Sequence, residues 1–240
     1  MFKALYDETL NYREHANLES RIEALLGFPL VAQPGAKWYY SAGADLLALL
    51  IQRVSQMSIP DYLETYIFEP LGMEDTGYNL TSEQSGRLMY LHSVDLQGKL
   101  GVHELQVPTS GNTVYGGTHG LFSTAHDYAQ FCLMMAHNGR WNGNQILKEK
   151  TVALISQNHV GGLYNEKGAG FGLGFSVILD PEQMNRPGKK GQLQWGGYFS
   201  THFFIDPQAE LIALAMTQRM PANHQSLGAL LAEYAYKIVD

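Results

Sequence analysis

The hydrophobic period of this chain changes once, near Phe171, and that change limits the folds open to it. Before it, apolar residues recur at three- and four-residue spacing: Leu18, Ile22, Leu25 and Leu26, then Leu46, Leu47, Leu50, Ile51 and Val54. After it come short β-rich runs, Phe171–Leu179, Gln192–Trp195, His202–Ile205 and Leu211–Met216, cut apart by Gly, Pro and Asp-Pro turns. A last amphipathic stretch, Leu227–Ile238, sets Leu227, Leu230, Leu231, Tyr234 and Ile238 on one helical face. Helices first and a strand meander later imply an α+β class with an antiparallel sheet. The expected organisation is a mostly helical subregion over 1–160, then the sheet and a closing helix over 161–240, with a groove shared between them.

Turn and cap residues set the element ends. Gly27 is placed to end the first helix, and Pro29, Pro34 and Gly35 break the chain before Trp38-Tyr39-Tyr40. A second helix is expected over 43–57. Ser58, Pro60 and Asp61 then form a capped start for a third, stopped by Pro70 and Gly72 after Phe68. Leu96-Gln97-Gly98-Lys99-Leu100 reads as a surface hairpin turn, and helical patterns resume at Ala125–His137 and Lys148–Ser156.

Composition removes several function classes. Of the 240 residues 45% are hydrophobic and only 16% charged, which is a globular balance rather than a disordered one. The net charge is −7 and the sixteen Lys and Arg are scattered, whereas nucleic-acid binding needs a concentrated basic face. No apolar run approaches the ~20 residues of a membrane span, so a soluble protein is expected. Residues 1–15 contain no signal-peptide core, which leaves the compartment open. Cys132 is the lone cysteine, so an internal disulfide is excluded; inside a helical pattern it reads as a small buried hydrophobe rather than a reactive thiol.

Three motifs carry chemistry, each with a plainer alternative. Tyr40 sits just ahead of a helix, where free N–H groups and the helix dipole favour a phenolate able to act as a base; taken alone, a core or surface tyrosine is the favoured reading. Trp195-Gly196-Gly197-Tyr198 ends a strand, where glycines let a ligand approach the backbone and an N–H can serve an oxyanion; a bulge under the indole is the other reading. The nine histidines match no zinc spacing, and no metal or other cofactor is implied. No serine lies in a Gly-x-Ser-x-Gly elbow, although a triad assembled in space is not excluded by spacing.

Taken in order, these segments resemble the β-lactamase-related serine hydrolases, which include class C β-lactamases, DD-peptidases and esterases of similar fold. The landmarks are Pro34–Ser41, Phe68-Glu69-Pro70-Leu71-Gly72-Met73-Glu74-Asp75-Thr76, Gly117–Thr124 with Asp127, Phe171–Phe175, Trp195-Gly196-Gly197 with Ile205-Asp206-Pro207, and Met216-Thr217-Gln218. They cover the chain from about residue 25 onward. The resemblance implies a β-lactamase/transpeptidase-like fold, with an antiparallel sheet, flanking helices and a helical subdomain. It also implies that Tyr40 helps move the nucleophile's proton, with Ser41 and Ala42 completing that element. Ala42 stands where the family has a substrate-binding asparagine. Trp195-Gly196-Gly197 stands in place of the Lys-Thr-Gly strand, and Tyr198 would supply an oxyanion N–H. Loss of the asparagine and the lysine points towards neutral esters or amides as substrates.

One family element is missing from these 240 residues: no serine is followed three residues later by lysine. The expectation is therefore a C-terminal portion without the nucleophile segment, inactive alone, whose parent hydrolyses esters through an acyl-serine. The absent part would leave a sheet edge and an apolar face uncovered and open to self-association. The rival expectation is a non-catalytic binding protein that keeps the groove.

Overall fold

The computed structural model describes residues 14–95, 97–104, 107–184, 186–220 and 224–239. Helix α1 (Leu18–Leu26) starts at a capping box on Asn17, and α2 (Gly43–Ser55) ends where Gln56 turns left-handed. Ser58 Oγ accepts the Asp61 N–H at 3.2 Å and so opens α3 (Ile59–Leu63). The chain continues through a π-helical stretch, Glu64–Phe68, to a last turn stopped by left-handed Gly72. Short α4 (Ser82–Arg87) precedes the hairpin β1 (His92–Val94) and β2 (Leu100–Val102). The hairpin's turn falls where the sequence placed it, although Leu96 itself lies outside the described residues.

Helix α5 (Ala125–Ala136) follows, capped by Thr124 Oγ1, which accepts the Asp127 N–H at 3.1 Å. A small hairpin, β3 (Arg140–Trp141) and β4 (Asn144–Gln145), leads into α6 (Glu149–Ile155). Five antiparallel strands then pair in chain order: β5 (Ala169–Phe171), β6 (Ser176–Ile178), β7 (Leu193–Gly196), β8 (His202–Asp206) and β9 (Leu211–Ala215). Strand β10 (Arg219–Met220) leaves that sheet to pair in parallel with β1, and α7 (His224–Val239) closes the described chain.

Strand alternation divides the sheet into two faces. Phe175, Val177, Leu193, Phe203 and Ile205 share one core with Phe68, Leu71, Met134 and Met135 of the helical layer. The opposite face sets Phe204 and Ala213 against Ala232, Ala235 and Tyr236 of α7. Cys132 lies fully buried in the first core, and desolvation pushes its thiol up to about 12, as the buried-hydrophobe reading requires.

Two expectations need correction. The run Phe171–Leu179 is not one strand but the β5–β6 hairpin, turned at Gly172–Phe175 with the Gly172 N–H donating to the Phe175 carbonyl at 2.8 Å. Apolar residues continue through that turn, so periodicity alone does not reveal it. The closing helix begins at His224 rather than Leu227. On α2 the buried residues are Asp45, Ala48 and Leu49, while Leu47 is 60% exposed and Val54 79%. Its apolar stripe therefore faces away from the described core.

Under α7, the Tyr236 hydroxyl lies 2.8 Å from the Gln192 side-chain oxygen and makes a short contact with the Asp206 carboxylate. Asp206 is 1% exposed and also accepts the Gln208 and Ala209 N–H groups, at 2.9 and 3.0 Å. Replacing Tyr236 by phenylalanine keeps the ring stacked on Phe204 but removes a donor to a buried carboxylate. The expected loss of stability is roughly 1.5–3 kcal/mol, read from urea denaturation; a loss indistinguishable from zero would show that the hydroxyl contributes nothing there.

Candidate active site

Turn residues Pro34 and Gly35 deliver Trp38 and Tyr40 onto the end of β7. Tyr40 stacks on Trp195, with ring centroids 6.3 Å apart and planes 24° apart. Trp38 meets Trp195, Phe171 and Tyr164 edge-on or tilted, at 6.5, 5.1 and 5.0 Å. Tyr40 is 73% exposed, so it stands at the protein surface rather than in a core. Ser41 Oγ accepts the Gly43 N–H at 3.3 Å, and Ala42 is buried at the N-cap of α2.

Across from Tyr40, β7 loses one neighbour. Pairing with β6 stops at Ser176–Gln194, whereas pairing with β8 runs on to Gly196–His202. Among the described residues, Trp195 and Gly196 thus have a partner strand on one side only. The chain turns beyond them, with the Gly197 N–H donating to Thr201 at 2.9 Å and the Ser200 N–H to Gly197 at 3.0 Å. The Tyr198 N–H takes no part in closing that turn. Ser200 is buried at φ +66, with its hydroxyl donating to the Arg219 carbonyl at 3.1 Å. A Cβ on Gly197 would stand 2.2 Å from Thr201 Oγ1, so a side chain there would have to displace the Thr201 hydroxyl.

Tyr40, Ser41, Ala42 and Tyr198 line one cleft of about 790 Å³. Trp195, Gly196 and Gly197 join Tyr40 and Tyr198 around an adjoining cavity of about 580 Å³. All seven residues singled out in the sequence therefore gather at one place. Sequence reading missed the far wall, which is held by a buried ionic joint. Asp45, fully buried, sits 2.8 Å from Arg21, and it accepts the N–H and the hydroxyl of Thr118, each at 2.8 Å. Arg21 Nη1 lies 3.2 Å from His119 Nδ1. Burial and the Arg21 charge lower the imidazole's affinity for a proton, with Asp45 opposing them. A carboxylate inside the leucine-rich helix 43–55 was the available signal for this joint.

A third groove of about 560 Å³ runs between α2 and the end of β7, past Ala44, Leu47, Ile51, Gly117 and Gly197. Among the described residues, no group of three or more His, Cys, Asp or Glu stands close enough to hold a metal, and no helix is long and apolar enough to cross a membrane. The arrangement offers an exposed phenol, a strand edge with unengaged backbone groups, and a mostly apolar cleft. Such a surface can bind an acyl compound along the backbone and place its carbonyl beside N–H donors.

Comparison with known proteins places the chain in a family. The sequence model of the Beta-lactamase family matches residues 2–236. Protein Rv1367c of Mycobacterium tuberculosis is 30% identical over 220 residues, covering 83% of this chain and 53% of that protein. Lovastatin esterase of Penicillium rubens is 27% identical over 258 residues, covering 94% and 62%. Among solved structures, EstCE1, described as a hydrolase with promiscuous acyltransferase activity, superposes with a TM-score of 0.81 at 24% identity over 92% of this chain and 61% of its own. The chain spans little more than half to three fifths of the length of these relatives. Its fold, helices packed on an antiparallel sheet, is the β-lactamase/transpeptidase-like one. Matched over nearly its whole length, the chain belongs to the Beta-lactamase family.

Proposed function

We propose that these residues form the substrate-binding wall of an esterase-like acyl hydrolase that works through an acyl-serine, and that alone they do not turn over esters by that route. The observation that carries the reading is the meeting of Tyr40 with the half-paired edge Trp195–Gly197 around a single cavity. The name of lovastatin esterase points to ester substrates for a relative in the same family.

In this reading the substrate carbonyl lies along β7 with its oxygen toward the Tyr198 N–H. Tyr40 hands the proton between nucleophile and leaving group, and water later releases the acyl group. The neutral indole at Trp195 favours an uncharged ester or amide at the reacting centre. The nucleophile is the part these residues do not supply in the family's form, since none of their serines precedes a lysine by three. That same fact favours the second reading, a binding protein that retains the groove without the chemistry.

The test is a short-chain nitrophenyl ester assay run beside a fluorophosphonate probe for activated serines. The expected result is neither a burst of nitrophenolate nor a labelled band. Turnover that disappears on replacing one of the serines present here would overturn the proposal. Unchanged weak binding of the ester together with no labelling is the outcome both readings share; a serine-lysine motif encoded in frame with this segment separates them in favour of the hydrolase.

A further inference from the structure

The far wall of the cleft of about 790 Å³ is a glycine-rich segment held down by two side chains. It runs Gly116-Gly117-Thr118-His119-Gly120, with Gly120 left-handed at φ +101. Thr118 is fixed to Asp45 through both its N–H and its hydroxyl. His119 is fixed differently. Its Nδ1 lies 3.2 Å from Arg21 Nη1 and 3.3 Å from Thr118 Oγ1. A guanidinium only donates, and the Thr118 hydroxyl gives its one proton to Asp45, so Nδ1 accepts from Arg21 and carries no proton. The ring is therefore held as its neutral Nε2–H tautomer.

Protonation reverses the sign of that contact. An Nδ1–H would meet a guanidinium N–H, setting two donors and two cations 3.2 Å apart. The charged groups around the ring are Arg21 from α1 and Asp45 from α2. Tyr78 stands beside them, its phenol kept neutral by burial and donating to the Gly116 carbonyl at 2.6 Å, and His15 lines the same cleft. Asp45 is already shared between Arg21 and Thr118, so it offsets the repulsion only in part; burial and the Arg21 charge win, and the imidazole's pKa is lowered. The ring cannot retreat inward. A Cβ on Gly116 would stand 2.4 Å from His119 Cε1, so the imidazole already lies directly against that buried backbone. Its open side is the cleft, which it lines.

We propose that His119 is a proton-controlled latch on this cleft: neutral, it accepts from Arg21 and seats Gly117–Gly120 against α1 and α2; protonated, it leaves Arg21 and turns into the cleft, taking the space a bound acyl compound needs. The inference rests on the cleft being the acyl-binding site of the reading above, and it adds the control of that site: acid empties it. Ligand and proton then exclude one another, so a neutral ligand that binds displaces a proton from His119. Below the folded-state pKa, itself under the ordinary ~6.5, affinity falls by up to about tenfold per pH unit, the limit for one proton. Above it the affinity is flat.

The probe is prodan, a neutral naphthalene ketone that brightens in apolar surroundings, titrated into the chain from about pH 8 to about pH 5 with far-UV circular dichroism recorded alongside. The chain is expected to bind it at the alkaline end and to lose affinity along the one-proton slope while the fold persists. His119→Asn sets an amide oxygen near the Nδ1 position and cannot take up a proton, so the slope should vanish. Gly116→Ala drives the ring off its seat at every pH and should bind weakly throughout; if that variant does not fold, His119→Asn still decides. Prodan held on the exposed stripe of α2 gives no slope that His119→Asn removes. Nitrogen-15 NMR of labelled histidine should show the Nε2–H tautomer at the alkaline end. No prodan binding there, flat binding across the range, a slope that survives in His119→Asn, an Nδ1–H tautomer, or unfolding over the same range would overturn the proposal. Ester turnover and serine labelling enter none of these readouts, so a failure of the acyl-hydrolase chemistry is seen separately.

Discussion

Replacing Asp45 with alanine is expected to cost roughly 3–5 kcal/mol of folding stability, the range for removing one partner of a buried ion pair. Asp45 is fully buried and Arg21 only 5% exposed, so the guanidinium left behind is largely cut off from water in the native packing. The loss is not confined to that pair. Asp45 also holds the Thr118 N–H and hydroxyl, and through them it fixes the 117–120 segment to the first turn of α2. Three parts of the chain meet there: α1 through Arg21, α2 through Asp45, and the far cleft wall through Thr118 and His119. Asparagine at 45 could still accept from Thr118 but would leave Arg21 uncompensated, so it should recover only part of the loss. Urea denaturation followed by tryptophan fluorescence measures both variants. A loss under about 1 kcal/mol, the value of an exposed pair, would show that the joint is solvated.

The same joint gives a pH dependence with a defined sign. The folded-state pKa of His119 is lowered, so the folded protein takes up its proton less readily than the unfolded chain does. Its contribution is complete above the unfolded value near ~6.5 and is lost as pH falls from there towards the folded value. In Asp45→Ala the one neighbour that favours the imidazolium is gone, and the acid-side loss should extend further.

What the sequence made legible follows from which interactions are local. Caps and breakers act within a few residues, and Ser58, Thr124 and Gly72 stand where their roles require. The ordered landmarks were readable because they form real joints. Asp127, for instance, accepts the Asp75 N–H and the Thr76 hydroxyl, each at 2.8 Å, and so ties Phe68–Thr76 to the start of α5. The hidden parts depend on partners distant in the chain. Nothing local shows that Arg21 is committed to Asp45 or that it lies against His119. Helical spacing identifies the apolar stripe on α2 but not what covers it; the packed face here is carried by Asp45, Ala48 and Leu49. Tyr40 and Trp195 lie 155 positions apart, yet they were paired through the family resemblance, which carries tertiary information that spacing lacks.

Gly117→Ala is the second substitution expected to have a large effect, and for a steric reason. A Cβ on Gly117 would stand 2.1 Å from the Ala44 carbonyl oxygen and 2.6 Å from its carbon. Those are backbone atoms of the first turn of α2, so no side chain can rotate away to make space. Either the 117–120 segment lifts from the helix or the turn that carries Asp45 shifts, and the expected cost is about 2–3 kcal/mol. Both responses pull Thr118 away from Asp45, which means the substitution damages the same joint by another route. The double variant Asp45→Ala, Gly117→Ala should therefore lose less than the sum of the single losses, by at least about 0.5 kcal/mol. Fully additive losses would mean that Gly117 and Asp45 act independently, and the description of one joint would fail. The groove of about 560 Å³ adds a second readout, because Ala44, Gly117 and Gly197 all line it. With the Thr118 anchor loosened, an environment-sensitive apolar dye should bind there more weakly in Gly117→Ala than in a variant of equal stability altered elsewhere, such as Tyr236→Phe.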